Sequence, residues 1–431
     1  PAGPMLRGNY KGKYLGSGSD GWKYWDELRA GNISEEDWEK VEAGIARSYG
    51  HCMTMGTAST MTAIAETLGL CLPGASSIPA ADSNHIRMSI EVGKRIVNMV
   101  WEDLRPSKII TEKSVDNAVT VAMAMGCSTN AIIHLIAMSR RAGVNLTMND
   151  LDKKGREVPL IANIRPSGNN YLMEDFYYAG GILSLMYELT NKLNLDEITV
   201  SGLRLKELII DKKTINTDVI RSLNDPIYEE GSLAVLKGNL APNGCVIKPA
   251  ACEKKLLKHK GPAIVFDSYP EMKEKIDKED FEVTENHVLV LRNVGPVGGP
   301  GMPEWGMMPI PKKLLQKGVR DMVRISDARM SGTSYGACIL HVAPESYIGG
   351  PLSLLKSGDI IEIDVNSRKI NMVVDEATLS LRKKKIAPNP PKAGRGWLWM
   401  YSNHIKQAND GCDFDFLETN FGNSAKEPDI F

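Results

Sequence analysis

Two glycine-rich stretches constrain the fold of this 431-residue chain more than any other feature. The first runs from Gly295 to Glu304, and its four glycines and three prolines exclude both a helix and a regular strand. It follows an apolar, β-prone run and ends on a carboxylate suited to a hard cation. The second stretch, SDARMSGT, also follows a strand-like run and places the hydroxyls of Ser331 and Thr333 around a glycine. The two stretches predict two walls of one polar site, although a pair of tight turns without a ligand is also compatible with the first.

The balance of charge excludes several classes of partner. The chain has 52 basic and 53 acidic residues, so neither a nucleic acid nor an anionic membrane surface would find a basic field to bind. No apolar run approaches the ~20 residues of a membrane span. The seven cysteines are odd in number and lack CxxC spacing, which argues against a disulfide framework. We therefore expect a cytoplasmic protein with a small-molecule partner.

The first half of the chain is predicted to be rich in helices. Ser34 precedes acidic residues as a helix cap should, and apolar residues recur at helical spacing in 112–125 and 129–142. Cys52 lies in a loop of small residues just before another predicted helix, where a thiolate and hence metal ligation are favoured. A small buried hydrophobic residue is the alternative interpretation of a lone cysteine.

A second small polar turn, GCSTN, separates the helices predicted at 112–125 and 129–142. It places Ser128, Thr129 and Asn130 at a helix N-terminus, where an anionic group such as a substrate carboxylate would be stabilised. Simple capping of the helix by Ser128 or Thr129 explains the same residues equally well.

After about residue 195 the sequence predicts many short strands separated by Gly, Pro and Asn, which is typical of a closed barrel with helices outside. The predicted strands are Ile198–Val200, Leu233–Leu236, Val246–Ile247, Ala263–Phe266, Val288–Leu291, Met322–Ile325, Ile360–Val365 and Ile370–Val374. The fold class is therefore α/β, with a helix-rich α/β domain at residues 1–225 and a β-barrel domain at 226–431. The aromatic residues of the tail from Gly394 to Phe431 predict that it packs on the body or on a second subunit.

Six motifs in one order resemble the dihydroxy-acid and sugar-acid dehydratase family from about residue 1 to the C-terminus. They are HCMTMGTASTM, GCSTN, RPSG with MEDFYYAGG, LKGNLAPNGCVIKP, GPVGGPGMPE and SDARMSGT. The MGTASTM form of the cysteine motif is similar to the aldonic-acid branch, whereas the branched-chain enzymes usually end this motif in TANSM.

The resemblance implies a dehydratase that converts an aldonic acid into a 2-keto-3-deoxy acid. It implies a [2Fe–2S] cluster with Cys52 as one ligand, Mg²⁺ with Glu304 as a ligand, Ser331 as the catalytic base and Thr333 beside it. The chemistry suits these residue types, because expelling hydroxide needs a Lewis acid and a serine must be ionised to take a proton. A branched-chain dihydroxy acid is the alternative substrate, and the family suggests a homodimer or homotetramer.

The resemblance also predicts a missing part of the site. In the family, two further cluster cysteines and an Asp-Lys pair whose carbamylated lysine binds Mg²⁺ lie in an N-terminal segment that this sequence does not contain. We therefore expect that residues 1–431 alone hold no cluster and have no dehydratase activity, and that the first domain is incomplete. The chain is then either a fragment of an active enzyme or a truncated, inactive sugar-acid binding protein.

Overall fold

The computed structural model of the chain describes residues 2–417, and helices dominate their first half. The helices are α1 Ser19–Ala30, α2 Glu35–Ile45, α3 Thr57–Thr67, α4 Ser83–Trp101, α5 Pro106–Ile109, α6 Glu112–Met125, α7 Ala131–Arg141, α8 Met148–Glu157, α9 Met173–Tyr178, α10 Gly181–Glu188, α11 Leu205–Ile209, α12 Tyr269–Lys275, α13 Lys312–Gln316, α14 Glu376–Lys385 and α15 Gly396–His404. The strands are β1 Gly8–Tyr10, β2 Lys13–Leu15, β3 Ala234–Gly238, β4 Ala241–Ile247, β5 Lys258–Phe266, β6 Val288–Leu291, β7 Arg324–Ser326, β8 Cys338–Ala343, β9 Ile360–Asp364 and β10 Lys369–Val373.

The core of the first domain is built around α6. Thr111 and Ser114 form a reciprocal capping box at its start, and Gly126 ends it in the left-handed conformation with φ 82°. Apolar residues of α6 are buried all round the helix, because α3, α7, α8 and α10 pack against it. This packing fixes the turn between α6 and α7, which carries the GCSTN motif.

The second domain is a closed barrel with the strand order β10-β3-β4-β8-β7-β6-β5-β9. Strands β5, β6, β7 and β8 run parallel to one another, while the pairs on either side of this group are antiparallel. Strand β6 is buried on both faces: Val288 and Val290 belong to the barrel interior, and Leu289 and Leu291 pack outward with residues of α12 and α13. Each of the two glycine-rich stretches begins where one of these parallel strands ends.

The expected fold class, a helix-rich first domain followed by a β-barrel domain flanked by helices, is confirmed. The prediction of a strand at Ile198–Val200 is wrong, because Ile198 forms only an isolated bridge with Arg204 in a turn held by local hydrogen bonds. The sequence did not indicate strand β8 or helices α1 and α4. The domain boundary at 225/226 stays a prediction, and the first barrel strand begins at Ala234.

The C-terminal tail from Gly394 packs on the rest of the chain, which is one of the two arrangements expected from its sequence. The Tyr401 hydroxyl accepts a hydrogen bond from the Gly301 amide (2.9 Å), and Gln407 pairs with Glu345. The rings of Phe414 and Phe416 stack on each other. The aromatic residues Phe421 and Phe431 of the tail lie outside the described residues. Within residues 2–417 no helix is long and apolar enough to cross a membrane.

Candidate active site

The two glycine-rich stretches lie side by side because they follow adjacent parallel strands. In the register of β6 and β7, Leu291 is opposite Ser326, so both stretches leave the barrel at the same end. The stretches are joined directly, since the Gly306 amide donates to the Arg329 carbonyl at 2.7 Å and Arg329 Nε donates to the Met302 carbonyl at 2.6 Å. The predicted contact between the two walls is confirmed.

Two buried carboxylates hold the first wall in place. Asp327 accepts a hydrogen bond from the Val294 amide (3.1 Å), and Glu345 accepts from the amides of Val297 (2.8 Å) and Gly298 (2.9 Å). Burial raises the pKa of both carboxyl groups, whereas these backbone hydrogen bonds favour the ionised form. Sequence reasoning missed both residues, although Asp327 belongs to the SDARMSGT motif itself.

The second wall ends in a hydroxyl pair. Ser331 Oγ lies 3.0 Å from Thr333 Oγ1, and the Thr333 amide points at the same Ser331 oxygen over 3.5 Å. Thr333 is buried, whereas Ser331 is half-buried and remains open to a ligand. Such a serine can accept a proton from a ligand while its neighbours donate hydrogen bonds to it.

The turn between α6 and α7 faces both walls. Asn130 Nδ2 donates to Glu304 Oε1 (2.7 Å), to the Met330 carbonyl (3.2 Å) and to Thr57 Oγ1 (2.9 Å). Ser128 Oγ completes the network at 2.9 Å from Thr57 Oγ1, so Ser128 does not act as the expected helix cap alone. These contacts bring Ser128, Asn130 and Glu304 together, whereas the substrate-binding role expected for the turn stays a prediction.

Unsatisfied polar atoms beside this network indicate space for a ligand. Thr129 Oγ1 and Asn130 Oδ1 are buried and have no hydrogen-bond partner among the described residues. Buried polar atoms in folded proteins are nearly always paired, so the unpaired oxygen of Asn130, whose amide nitrogen already contacts Glu304 and the Met330 carbonyl, is a candidate to bind a polar ligand.

Cys52 approaches the second wall across Gly56. A Cβ atom on Gly56 would lie 2.8 Å from Thr333 Cγ2 and 3.6 Å from Cys52 Cβ, so only a glycine lets these side chains come so close. Ser17 Oγ accepts from the Met53 amide (2.9 Å), and Ser19 Oγ donates to the Thr333 carbonyl (2.6 Å). The segment 17–19, which the sequence analysis did not single out, therefore ties the cysteine loop to Thr333.

The described residues fit a contributing role in metal binding. Cys52 supplies a half-buried thiol and Glu304 an exposed carboxylate. Burial raises the pKa of Cys71 and Cys127 to about 11, which disfavours the thiolate that ligation requires. Within residues 2–417 there is no group of three His, Cys, Asp or Glu side chains that could hold a metal ion. These residues therefore offer one ligand to each expected metal and not a full set.

A helix-rich domain joined to a closed β-barrel domain is the two-domain architecture of the enzyme family that the following matches identify. The chain matches the dihydroxy-acid/6-phosphogluconate dehydratase N-terminal model over residues 1–208 and the C-terminal model of the same family over residues 218–412. It belongs to the dihydroxy-acid/6-phosphogluconate dehydratase family, whose members are hydro-lyases.

Several relatives extend the match over nearly the whole chain. A 6-deoxy-6-sulfo-D-gluconate dehydratase of Pseudomonas putida is 50% identical over 433 aligned positions, covering 100% of this chain and 74% of the relative. An L-arabinonate dehydratase of Rhizobium leguminosarum bv. trifolii is 43% identical over 98% of this chain and 73% of its own. A dihydroxy-acid dehydratase of Thermodesulfovibrio yellowstonii is 38% identical over 95% of this chain and 74% of its own.

Proposed function

We propose that this protein dehydrates a sugar acid to a 2-keto-3-deoxy acid. In this reaction the C2 proton and the C3 hydroxyl leave as water, and the resulting enol becomes the ketone. The observation that carries the proposal is the Ser331–Thr333 hydroxyl pair, which lies between the Asn130–Glu304 network and the Cys52 loop. A proton acceptor, a carboxylate and a thiol around one opening are the groups that such an elimination needs.

We assign the proton transfer to Ser331. Its Oγ would take the C2 proton, and the Thr333 hydroxyl at 3.0 Å together with the Thr333 amide would stabilise the negative charge on this oxygen. Thr129 Oγ1 and Asn130 Oδ1, which have no hydrogen-bond partner among the described residues, would bind hydroxyl groups of the substrate. Ser128 would hold the turn between α6 and α7 in place through its contact with Thr57.

We further propose that Cys52 contributes one ligand to a [2Fe–2S] cluster and Glu304 one ligand to Mg²⁺. When bound, the two groups supply the positive charge that a departing hydroxide and a developing enolate require. The thiol at a helix N-terminus and the carboxylate held by Asn130 support this assignment. Within residues 2–417 no group of three or more His, Cys, Asp or Glu side chains completes either set of ligands.

The comparisons favour a sugar acid over a branched-chain substrate. The relatives named for sugar acids range from 38% to 50% identity, against 38% to 40% for those named dihydroxy-acid dehydratase. The MGTASTM form of the cysteine motif supports the same choice. Cytoplasmic location and a homodimeric or homotetrameric assembly stay predictions.

A substrate panel tests the proposal. Full-length protein reconstituted anaerobically with iron, sulfide and Mg²⁺ is offered gluconate, arabinonate, xylonate, 6-deoxy-6-sulfogluconate and 2,3-dihydroxyisovalerate, and keto-acid formation is followed as the semicarbazone. We expect turnover of at least one sugar acid with a kcat/KM at least tenfold above that for the branched-chain acid. Turnover of the branched-chain acid alone would contradict the choice of substrate. Binding of sugar acids without turnover would favour the inactive binding protein instead.

Ser331→Ala tests the assignment of the base. We expect kcat to fall by at least ~10²-fold with KM little changed, because general-base catalysis contributes about that much. Ser353→Ala is the matched control, since it removes a buried hydroxyl that has no hydrogen-bond partner among the described residues and that lies outside the network described above. If Ser331→Ala kept more than about a tenth of the wild-type kcat, another group would have to be the base.

A further inference from the structure

Lys248 is a buried cation directly beneath the Ser331 turn. It follows strand β4, its side chain is fully buried, and its Nζ donates to the Gly332 carbonyl at 3.3 Å. No salt bridge of Lys248 is found within the part of the chain that the structure describes. A lysine is rarely buried without a carboxylate partner, because burying an unpaired charge costs free energy. A functional role would explain why Lys248 is buried here.

The surroundings of Lys248 do not neutralise its charge. The titratable groups that face it are the thiols of Cys127 and Cys252, and burial raises the pKa of both thiols, which keeps them protonated. Burial also lowers the pKa of Lys248 to about 8, so the ammonium form persists at neutral pH. A fixed positive charge therefore lies in a region of low polarity, where its field is weakly screened.

One peptide unit connects this charge to the site serine. The carbonyl of the Gly332–Thr333 peptide accepts the hydrogen bond from Lys248 Nζ, and the N–H of the same peptide points at Ser331 Oγ over 3.5 Å. A cation at the oxygen end polarises the peptide and makes its N–H a stronger donor. The Lys248 charge is thus transmitted to the atom that we assign as the proton acceptor.

We propose that Lys248 is a positioning residue that acts through the Gly332–Thr333 peptide to orient Ser331 and to stabilise negative charge on its Oγ. This role rests on the proposed function, because it matters only if Ser331 is ionised during turnover. It assigns Lys248 no contact with the substrate. It also gives a reason why the LKGNLAPNGCVIKP segment ends in a lysine that the barrel buries.

The pH dependence of kcat tests the role in reconstituted full-length protein with the sugar acid that the panel selects. In wild type, kcat should fall as pH rises through about 8, where Lys248 loses its charge. Lys248→Met should lower kcat roughly 10- to 100-fold at pH 7, the value of a hydrogen bond to a charged group, with KM changed less than threefold. Lys248→Arg keeps the charge at every accessible pH, so the fall near pH 8 should disappear.

Each outcome separates this role from a purely structural one. Lys248→Met with wild-type kcat, or Lys248→Arg with an unchanged fall near pH 8, would overturn the proposal. If neither variant folds, the wild-type profile decides, and a kcat that is constant from pH 7 to 10 would also overturn it. If the wild-type protein turns over none of the sugar acids, the proposed function itself is contradicted. The proposed role of Lys248 is then contradicted as well.

Discussion

Replacing Lys248 with methionine should make the protein more stable at neutral pH. The ammonium group is fully buried with one hydrogen bond at 3.3 Å, and burial lowers its pKa from 10.5 to about 8. At ~1.4 kcal/mol for each pH unit, this difference corresponds to about 3 kcal/mol of folding free energy. Methionine has a similar length and no charge, so it should remove most of this penalty without opening a large cavity.

The sign of the pH dependence follows from which state binds the proton. Between pH 8 and 10.5 the unfolded chain still carries the Lys248 proton that the folded chain has released, so wild-type stability rises with pH across this window. Below pH 8 both states are charged and the full penalty applies. The stability advantage of Lys248→Met should therefore be greatest at pH 7 and approach zero near pH 10.5.

Urea unfolding at pH 7, 8, 9 and 10, followed by tryptophan fluorescence, measures this difference. Groups that do not interact with Lys248 contribute equally to both proteins, so only the difference between them is compared. Lys258→Met is the control, because the Lys258 side chain is 84% exposed and its removal should change stability little at any pH. A Lys248→Met variant that is less stable than wild type at pH 7, or an advantage that does not change with pH, would refute the reasoning.

Three further substitutions probe the site. Glu304→Gln should raise the Mg²⁺ concentration needed for half-maximal activity at least tenfold, with partial rescue at high Mg²⁺, because one anionic ligand is lost. If the Mg²⁺ titration of the variant coincides with that of wild type, Glu304 is not a Mg²⁺ ligand. Gly332→Ala places a Cβ 2.6 Å from Ser128 Oγ and should lower kcat about 10²-fold, whereas Gly93→Ala, which meets no atom within 4 Å, should not. Thr333→Val removes the hydroxyl 3.0 Å from Ser331 Oγ and should lower kcat by about fivefold to tenfold, measured at saturating substrate.

The sequence predicted those parts of the fold that are set by local pattern. Helix α6 has the bounds that its apolar spacing gives, and strand β6 coincides with the predicted Val288–Leu291, because burial on both faces leaves an uninterrupted apolar run. Strand β8 was missed, since Cys338–Ala343 includes a histidine and two small residues and resembles no clear β pattern. It becomes a strand because it completes the barrel between β4 and β7, which is a tertiary requirement.

For the site, the sequence pointed to the groups that we propose to carry the chemistry and missed the groups that position them. Ser331, Glu304 and Asn130 stand in recognisable motifs, and the structure joins them. Asp327 and Glu345 bind backbone amides of a loop that follows a different strand, so no local pattern could pair them with it. The same holds for Lys248, whose partner carbonyl is 84 residues away in sequence.

The hydrogen bonds that connect the loops of the site join parts of the chain that are far apart in sequence. Ser19 and Thr333 are 314 residues apart, and Asn130 lies 174 residues before Glu304. At the ~5–20 residues per second of protein synthesis, Ser19 leaves the ribosome roughly 15–60 s before its partner exists. During that interval the loops of the first domain, with the Cys52 thiol, have no barrel wall to pack against. A nascent chain therefore gains its site only when the barrel is nearly complete, so an unfinished chain cannot form the Ser331 opening around a ligand.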